Sequence, residues 1–169
     1  MTLEELNHLS KPVLTEALSK CCGSTAWVES MLAAFPVSDA ETLMDQAKTQ
    51  WNKLSEADWR EAFTHHPKIG GDVEALCAKF ASISTWAEGE QASVKQASQE
   101  TLEALAAGNT AYEKKFGYIF IVCATGKSAE EMLALLQARL TNKSEDEILI
   151  AAAEQDKITR LRLEKLLAA

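Results

Sequence analysis

Glycine and proline are scarce in this chain, seven and three of 169 residues. That scarcity excludes a turn-rich β-sandwich or barrel. Basic residues are also in deficit: 17 Lys and Arg stand against 25 Asp and Glu, a formal charge of −8. Most of such a surface repels nucleic acid and anionic membrane, so neither is expected as a partner. A small anion remains possible where the few cations are gathered at one place. The longest nearly uncharged apolar run, Tyr118 to Thr125, is far too short to span a bilayer. The N-terminal residues Met1-Thr2-Leu3-Glu4-Glu5-Leu6 lack the basic and apolar blocks of a secretory signal, and Leu167-Ala168-Ala169 is not a peroxisomal address. No Cys-x-x-Cys pair occurs among Cys21, Cys22, Cys77 and Cys123. Neither a zinc site nor a disulfide framework is indicated. Reduced thiols in a cytoplasmic protein are expected.

What is present is helical punctuation. Ser24 caps a predicted helix carrying Trp27, Val28, Met31, Leu32 and Phe35, ended by Pro36. Asp39 caps the next, with Leu43, Met44, Ala47, Trp51 and Leu54 at helical spacing. Ser55 with Asp58 starts a third, which leads through Trp59 and Phe63 to His65-His66-Pro67. Ser128 with Glu131 and Ser144 with Glu147 fit the capping-box pattern. At 169 residues, 47% of them hydrophobic, the chain is long enough to bury roughly 70% of its unfolded surface. An all-α, single-domain helical bundle over residues 1–169 is expected. Two segments break the pattern. Pro67-Lys68-Ile69-Gly70-Gly71 must be irregular. The apolar strip 117–126 lies between Gly117 and Gly126 and is either a buried helical segment or extended. If extended, its backbone N–H and C=O groups need partners, in a ligand or in neighbouring side chains.

Ala124-Thr125-Gly126-Lys127-Ser128 has the end of a phosphate loop, but position 121 is Ile where that loop needs Gly. The phosphate-loop reading fails. His66 precedes Pro67, which disfavours the α region, so a helix should end there with one imidazole at its corner. Such an imidazole suits proton transfer, or serves as a structural partner of the helix terminus. Glu88-Gly89-Glu90-Gln91 opens a long helical stretch through Leu102 and Leu105, and a carboxylate near its start is stabilised by the helix dipole. In the C-terminal helix, Ile148, Ala151, Ala152, Ile158, Leu161 and Leu166 share one face with Arg162 at its middle. An inward arginine needs a partner. An internal salt bridge or an anion or carbonyl anchor would each satisfy it.

In order along the chain stand His66-Pro67-Lys68-Ile69-Gly70, Trp86-Ala87-Glu88-Gly89-Glu90-Gln91, and Asn109-x-x-Tyr112-x-x-x-Phe116-Gly117-Tyr118-Ile119-Phe120-Ile121. Arg139-Leu140-x-Asn142-x-x-x-Asp146-Glu147 and Lys157-Ile158-x-x-Leu161-Arg162-Leu163 follow. Together these motifs resemble the 2-oxo-4-hydroxy-4-carboxy-5-ureidoimidazoline (OHCU) decarboxylase family over essentially the whole chain. The resemblance implies an all-α, cofactor-free and metal-free homodimeric enzyme that turns OHCU, a small ureide, into (S)-allantoin and carbon dioxide in urate breakdown. It implies His66 as proton donor, Glu90 as its acidic partner and Pro67 beside the ligand. Ala87, Glu88, Gly89, Glu90 and Gln91 match the family's substrate-binding segment. Phe120, Ile121, Val122, Cys123 and Ala124 match the strip whose backbone touches the ureido and ring groups, and Arg162 matches a C-terminal arginine of the site. Two positions depart from the pattern: Ala87 stands where the family often has Ser, and Lys68-Ile69 replaces Asp-Leu. The alternative is a helical interaction module that keeps the fold without the activity. Exposed tryptophans among Trp27, Trp51, Trp59 and Trp86 would be natural anchors of a dimer.

Overall fold

The structure, a computed structural model, describes residues 1–66 and 99–168. All regular secondary structure among the described residues is helical, as expected. The helices are α1 (Leu3–Asn7), α2 (Lys11–Cys21), α3 (Thr25–Ala34), α4 (Ala40–Asn52), α5 (Glu56–Thr64), α6 (Gln99–Phe116), α7 (Ala129–Leu140) and α8 (Ser144–Ala168). The chain divides into two compact units, Met1–His66 with Ala152–Ala169, and Pro67–Ala151.

In the first unit the helix starts are set by local chemistry. The side chains of Ser24, Asp39 and Ser55 accept from the backbone N–H groups of Trp27, Thr42 and Asp58. Each satisfies a donor that the helix cannot pair internally. Thr2 and Glu5 close a capping box on α1, and Ser55 and Asp58 close one on α5. The core gathers Leu6, Leu18, Trp27, Met31, Leu43 and Phe63, all without exposed surface. Burying a side chain of this size contributes about 1.5–3 kcal/mol. Each indole keeps its polar edge satisfied: Trp27 Nε1 donates to the Ala47 carbonyl at 3.0 Å, and Trp51 Nε1 to that of Ala152 at 2.9 Å. Trp59, half-buried, donates to the Trp51 carbonyl at 3.1 Å. Trp27 and Trp51 are therefore core residues, which removes them from the candidate surface anchors; Trp86 lies outside the described residues.

The second unit packs α6 against α7. A Cβ on Gly108 would stand 2.5 Å from Leu136 Cδ2, so the helices approach at a point that admits no larger residue without displacement. After Phe116 the chain leaves the helix at Gly117, whose φ of 83° ends α6 in the left-handed region that glycine tolerates. No helix forms again until Ala129, so the strip is irregular and not a buried helical segment. Its far end turns at Gly126, with φ 78°. Tyr118, Phe120, Ile121, Val122 and Cys123 are buried. The Tyr112 ring lies 4.6, 5.8 and 5.2 Å from those of Phe116, Tyr118 and Phe120. Ser128 caps α7 through the Glu131 N–H, as its spacing predicts. Ser144 does not cap α8: it is already helical, and the Lys143 carbonyl receives the first N–H groups, from Asp146 and Glu147.

Candidate active site

α5 ends at Thr64, and His65 and His66 occupy the corner that follows. Their backbone N–H groups bond the carbonyls of Ala62 and Phe63. The two imidazoles then part. His65 lines a cleft of about 950 Å³ together with Leu14, Val28 and Leu32. Gly23 sits tight behind it, where a Cβ would fall 2.4 Å from His65 Cγ. His66, half-buried, instead meets α8, where its Nε2 is hydrogen-bonded to Gln155 Oε1. Gln155 is almost fully buried, and its amide Nε2 donates to Thr159 Oγ1 at 3.1 Å, one turn further along the same helix. Thr159 in turn bonds the Cys22 thiol.

Arg162 continues this ladder. One guanidinium nitrogen lies 3.4 Å from both the Lys20 and the Cys21 carbonyls, the last turn of α2. The positive charge thus meets the negative end of a helix dipole. No salt bridge of Arg162 forms among the described residues; its contacts are these backbone carbonyls of α2. Its Nε and second terminal nitrogen have no hydrogen-bond partner among the described residues. Arg162 is half-buried at the edge of the inward face, and not at its middle as the apolar spacing suggests. The deepest positions of this half of α8 are Ala152, Gln155, Thr159 and Leu163, two of them polar. Burial pushes the neighbouring thiols of Cys21 and Cys22 up to about 11, so both stay protonated at neutral pH and neither is a ready nucleophile.

The strip is held within the second unit by a buried ion pair. Arg139 Nε and NH2 each lie 2.6 Å from Glu147 Oε1, and its NH1 donates to the Ile121 carbonyl at 2.7 Å. Tyr112 donates to the same carboxylate at 2.6 Å, and Asn142 Nδ2 to its other oxygen at 2.9 Å. Burial, and then the bond to Glu147, raise the Tyr112 phenol far above its ordinary range, which keeps it a donor. The guanidinium also lies 4.6 Å from the Phe120 ring centre. Further along, Lys127 Nζ donates to the Cys123 carbonyl at 2.7 Å. Of the strip's polar backbone, the carbonyls of Ile121 and Cys123 thus find partners in neighbouring side chains.

The structure therefore joins His66 to Gln155 and Thr159, and sets Arg162 on the same helix. It shows Phe120, Ile121, Val122, Cys123 and Ala124 as a non-helical segment. Pro67, Ala87, Glu88, Gly89, Glu90 and Gln91 lie outside the described residues. Gln155 and Thr159 escape sequence reasoning because apolar periodicity passes over polar side chains. Their i, i+4 spacing below Ile148, Ala151 and Ala152 was the available signal.

The described residues define a class: an all-α protein with an imidazole at a helix corner and a half-buried arginine on α8. The chain belongs to the OHCU decarboxylase family, whose model matches residues 7–164. It is 38% identical over 147 residues to the uric acid degradation bifunctional protein TTL of Arabidopsis thaliana, a match covering 86% of this chain and 45% of that protein. The chain thus spans less than half the length of that bifunctional relative. It is 24% identical over 164 residues to the 2-oxo-4-hydroxy-4-carboxy-5-ureidoimidazoline decarboxylase of Haloferax volcanii, covering 96% of this chain and 94% of the relative. Among solved structures it resembles an OHCU decarboxylase crystallised in the presence of (S)-allantoin, with a TM-score of 0.72 and 36% identity over 89% of this chain and 96% of the other.

Proposed function

We propose that this protein decarboxylates OHCU to (S)-allantoin and carbon dioxide, with His66 as proton donor and Glu90 as its acidic partner. The observation that carries the reading is the placement of His66. The family's proton-donor position falls at the end of α5, and a buried amide grips one ring nitrogen there. In OHCU the departing carboxylate sits on a carbon next to an imine-type carbon. As the C–C bond breaks, its electron pair moves into that neighbour and gives an enol-like intermediate. The substrate carries its own electron sink, so the protein has only to orient it and deliver a proton to one face. Protonated His66 does so, which sets the S configuration. Glu90 bonds the hydroxyl and repels the carboxylate that leaves. The strip Phe120–Ala124 offers backbone groups to the ureido moiety, and Arg162 has donors for a carbonyl or the carboxylate. Pro67 and the segment Ala87, Glu88, Gly89 and Gln91 complete the binding surface in this reading. The working unit is one domain that acts as a homodimer in the cytoplasm, with no cofactor or metal. The second point is supported only by the family, while no described helix is long and apolar enough to cross a membrane.

Urate converted by the two upstream activities supplies OHCU, and the optical signal of allantoin reports turnover and stereochemistry together. His66→Ala should fold normally and lose about 10²–10⁴-fold in kcat, the usual worth of general acid catalysis. Near-parental turnover by that variant would sink the role of His66. A parent protein that yields racemic allantoin no faster than buffer would favour the inactive module.

A further inference from the structure

Gln155 is a buried side chain whose two ends are both engaged. Its amide nitrogen is fixed by Thr159 Oγ1 at 3.1 Å, and Thr159 is itself buried beside the Cys22 thiol. The amide nitrogen is turned to Thr159 and the amide oxygen faces His66. An amide oxygen only accepts, so the ring nitrogen opposite it has to carry a proton. We propose that Gln155 is a positioning residue that fixes His66 in the Nε2–H form. This deepens the reading of His66 as proton donor and rests on it.

The orientation matters for an acid. Imidazolium carries hydrogens on both nitrogens, and neutral imidazole on one. A glutamine that presents its oxygen accepts from Nε2 in both states, so no amide rotation is needed as His66 gains and loses its proton. The opposite orientation, with NH2 toward the ring, would oppose imidazolium and favour the Nδ1–H tautomer. With Nε2–H held by Gln155, the proton that His66 exchanges is the one on Nδ1. Thr159 braces this arrangement because a free amide could turn over. The sulfur beyond it is kept as a neutral thiol by burial, so the ladder His66–Gln155–Thr159–Cys22 brings no competing negative charge to the ring.

The test uses the full chain with the imidazole nitrogens labelled with ¹⁵N. In the parent, neutral His66 should show the chemical-shift pattern of the Nε2–H tautomer. Gln155→Leu, which keeps bulk and removes the acceptor, should give a mixed or Nδ1–H pattern. Its kcat should fall at least about tenfold while KM moves much less, since a wrong tautomer impairs the chemical step. Gln155→Glu, which restores an acceptor, should recover most of the loss. Should Gln155→Leu fail to fold, Thr159→Val removes the brace without touching the ring and should shift the tautomer pattern in the same direction. Parental ¹⁵N shifts in the folded variants overturn the proposal, as does a kcat loss that Gln155→Glu does not restore. Failure of the underlying reading is distinguishable: a parent no faster than buffer removes the decarboxylase activity, and full activity of His66→Ala removes His66 as its proton donor, whatever the nitrogen shifts show.

Discussion

α8 carries two arrangements of polar side chains that differ in what they leave over. Near its start, Glu147 is consumed: Arg139, Tyr112 and Asn142 all donate to its carboxylate. Arg139 spends its remaining donor on the Ile121 carbonyl and lies against Phe120. Buried charges are tolerated only when their hydrogen bonds are complete, and this set is complete enough to be dry. Further along, Gln155 and Thr159 are neutral, and Arg162 meets only backbone carbonyls at 3.4 Å. No carboxylate neutralises that guanidinium among the described residues. The closed network builds structure; in the proposed reading, the open ladder leaves a guanidinium and an imidazole for a ligand.

The sharpest way to break this comparison is to remove one partner from each set. Arg139→Met strands Glu147 in the core and unhooks Ile121, and should cost about 3–5 kcal/mol in urea denaturation. Arg139→Met combined with Glu147→Leu should recover part of that, because the desolvated charge goes with its partner. Arg139→Lys should rescue poorly, since a single ammonium cannot bond the carboxylate and the Ile121 carbonyl in the guanidinium's fork geometry. A small loss for Arg139→Met would mean that the pair is not what holds the strip.

Arg162→Met should behave in the opposite way. Long contacts to the end of α2 are worth no more than about 1 kcal/mol of stability. Loss of a charge-assisted contact to the substrate should lower kcat/KM about 10- to 100-fold. A variant that loses stability and keeps turnover would show that Arg162 serves α2 alone, and would remove it from the proposed site.

The same contrast explains what could be read from sequence. Ser24, Asp39, Ser55 and Ser128 are caps in fact because capping joins neighbours three residues apart, and nothing distant competes. Ser144 fits the same pattern and fails because the helix begins one residue early: the Lys143 carbonyl takes the Glu147 N–H, and the Glu147 carboxylate is taken by Tyr112 and Arg139. Which tryptophans are exposed was not legible: an amphipathic ring suits a surface, but carbonyls at Ala47 and Ala152 accept from Trp27 and Trp51 in the core. The strip declared itself by its flanking glycines, whereas the arginine that grips it stands in the sequence only as part of a motif. His66 was legible through Pro67. Gln155 was not, because its value comes from a fold that brings residue 155 to residue 66.

A smaller effect sharpens the comparison on α8 itself. Asp156 follows Gln155 and is half-buried, and it has only the nearby charges of Lys48 and Arg160 where Glu147 has a bonded guanidinium. Burial raises its carboxyl above the ordinary value of 3.8, with Lys48 and Arg160 opposing. An acid that holds its proton more tightly when folded makes the native state lose stability as pH rises through the window above 3.8. Asp156→Asn removes the ionisation and should be more stable than the parent at pH 7. That advantage should shrink as pH falls toward about 4, where the parent's carboxyl becomes neutral too. Urea midpoints at the two pH values measure the difference directly. An advantage that grows on acidification, or a variant weaker than the parent at pH 7, would mean that Lys48 and Arg160 outweigh burial, and that this carboxylate too is a paired one.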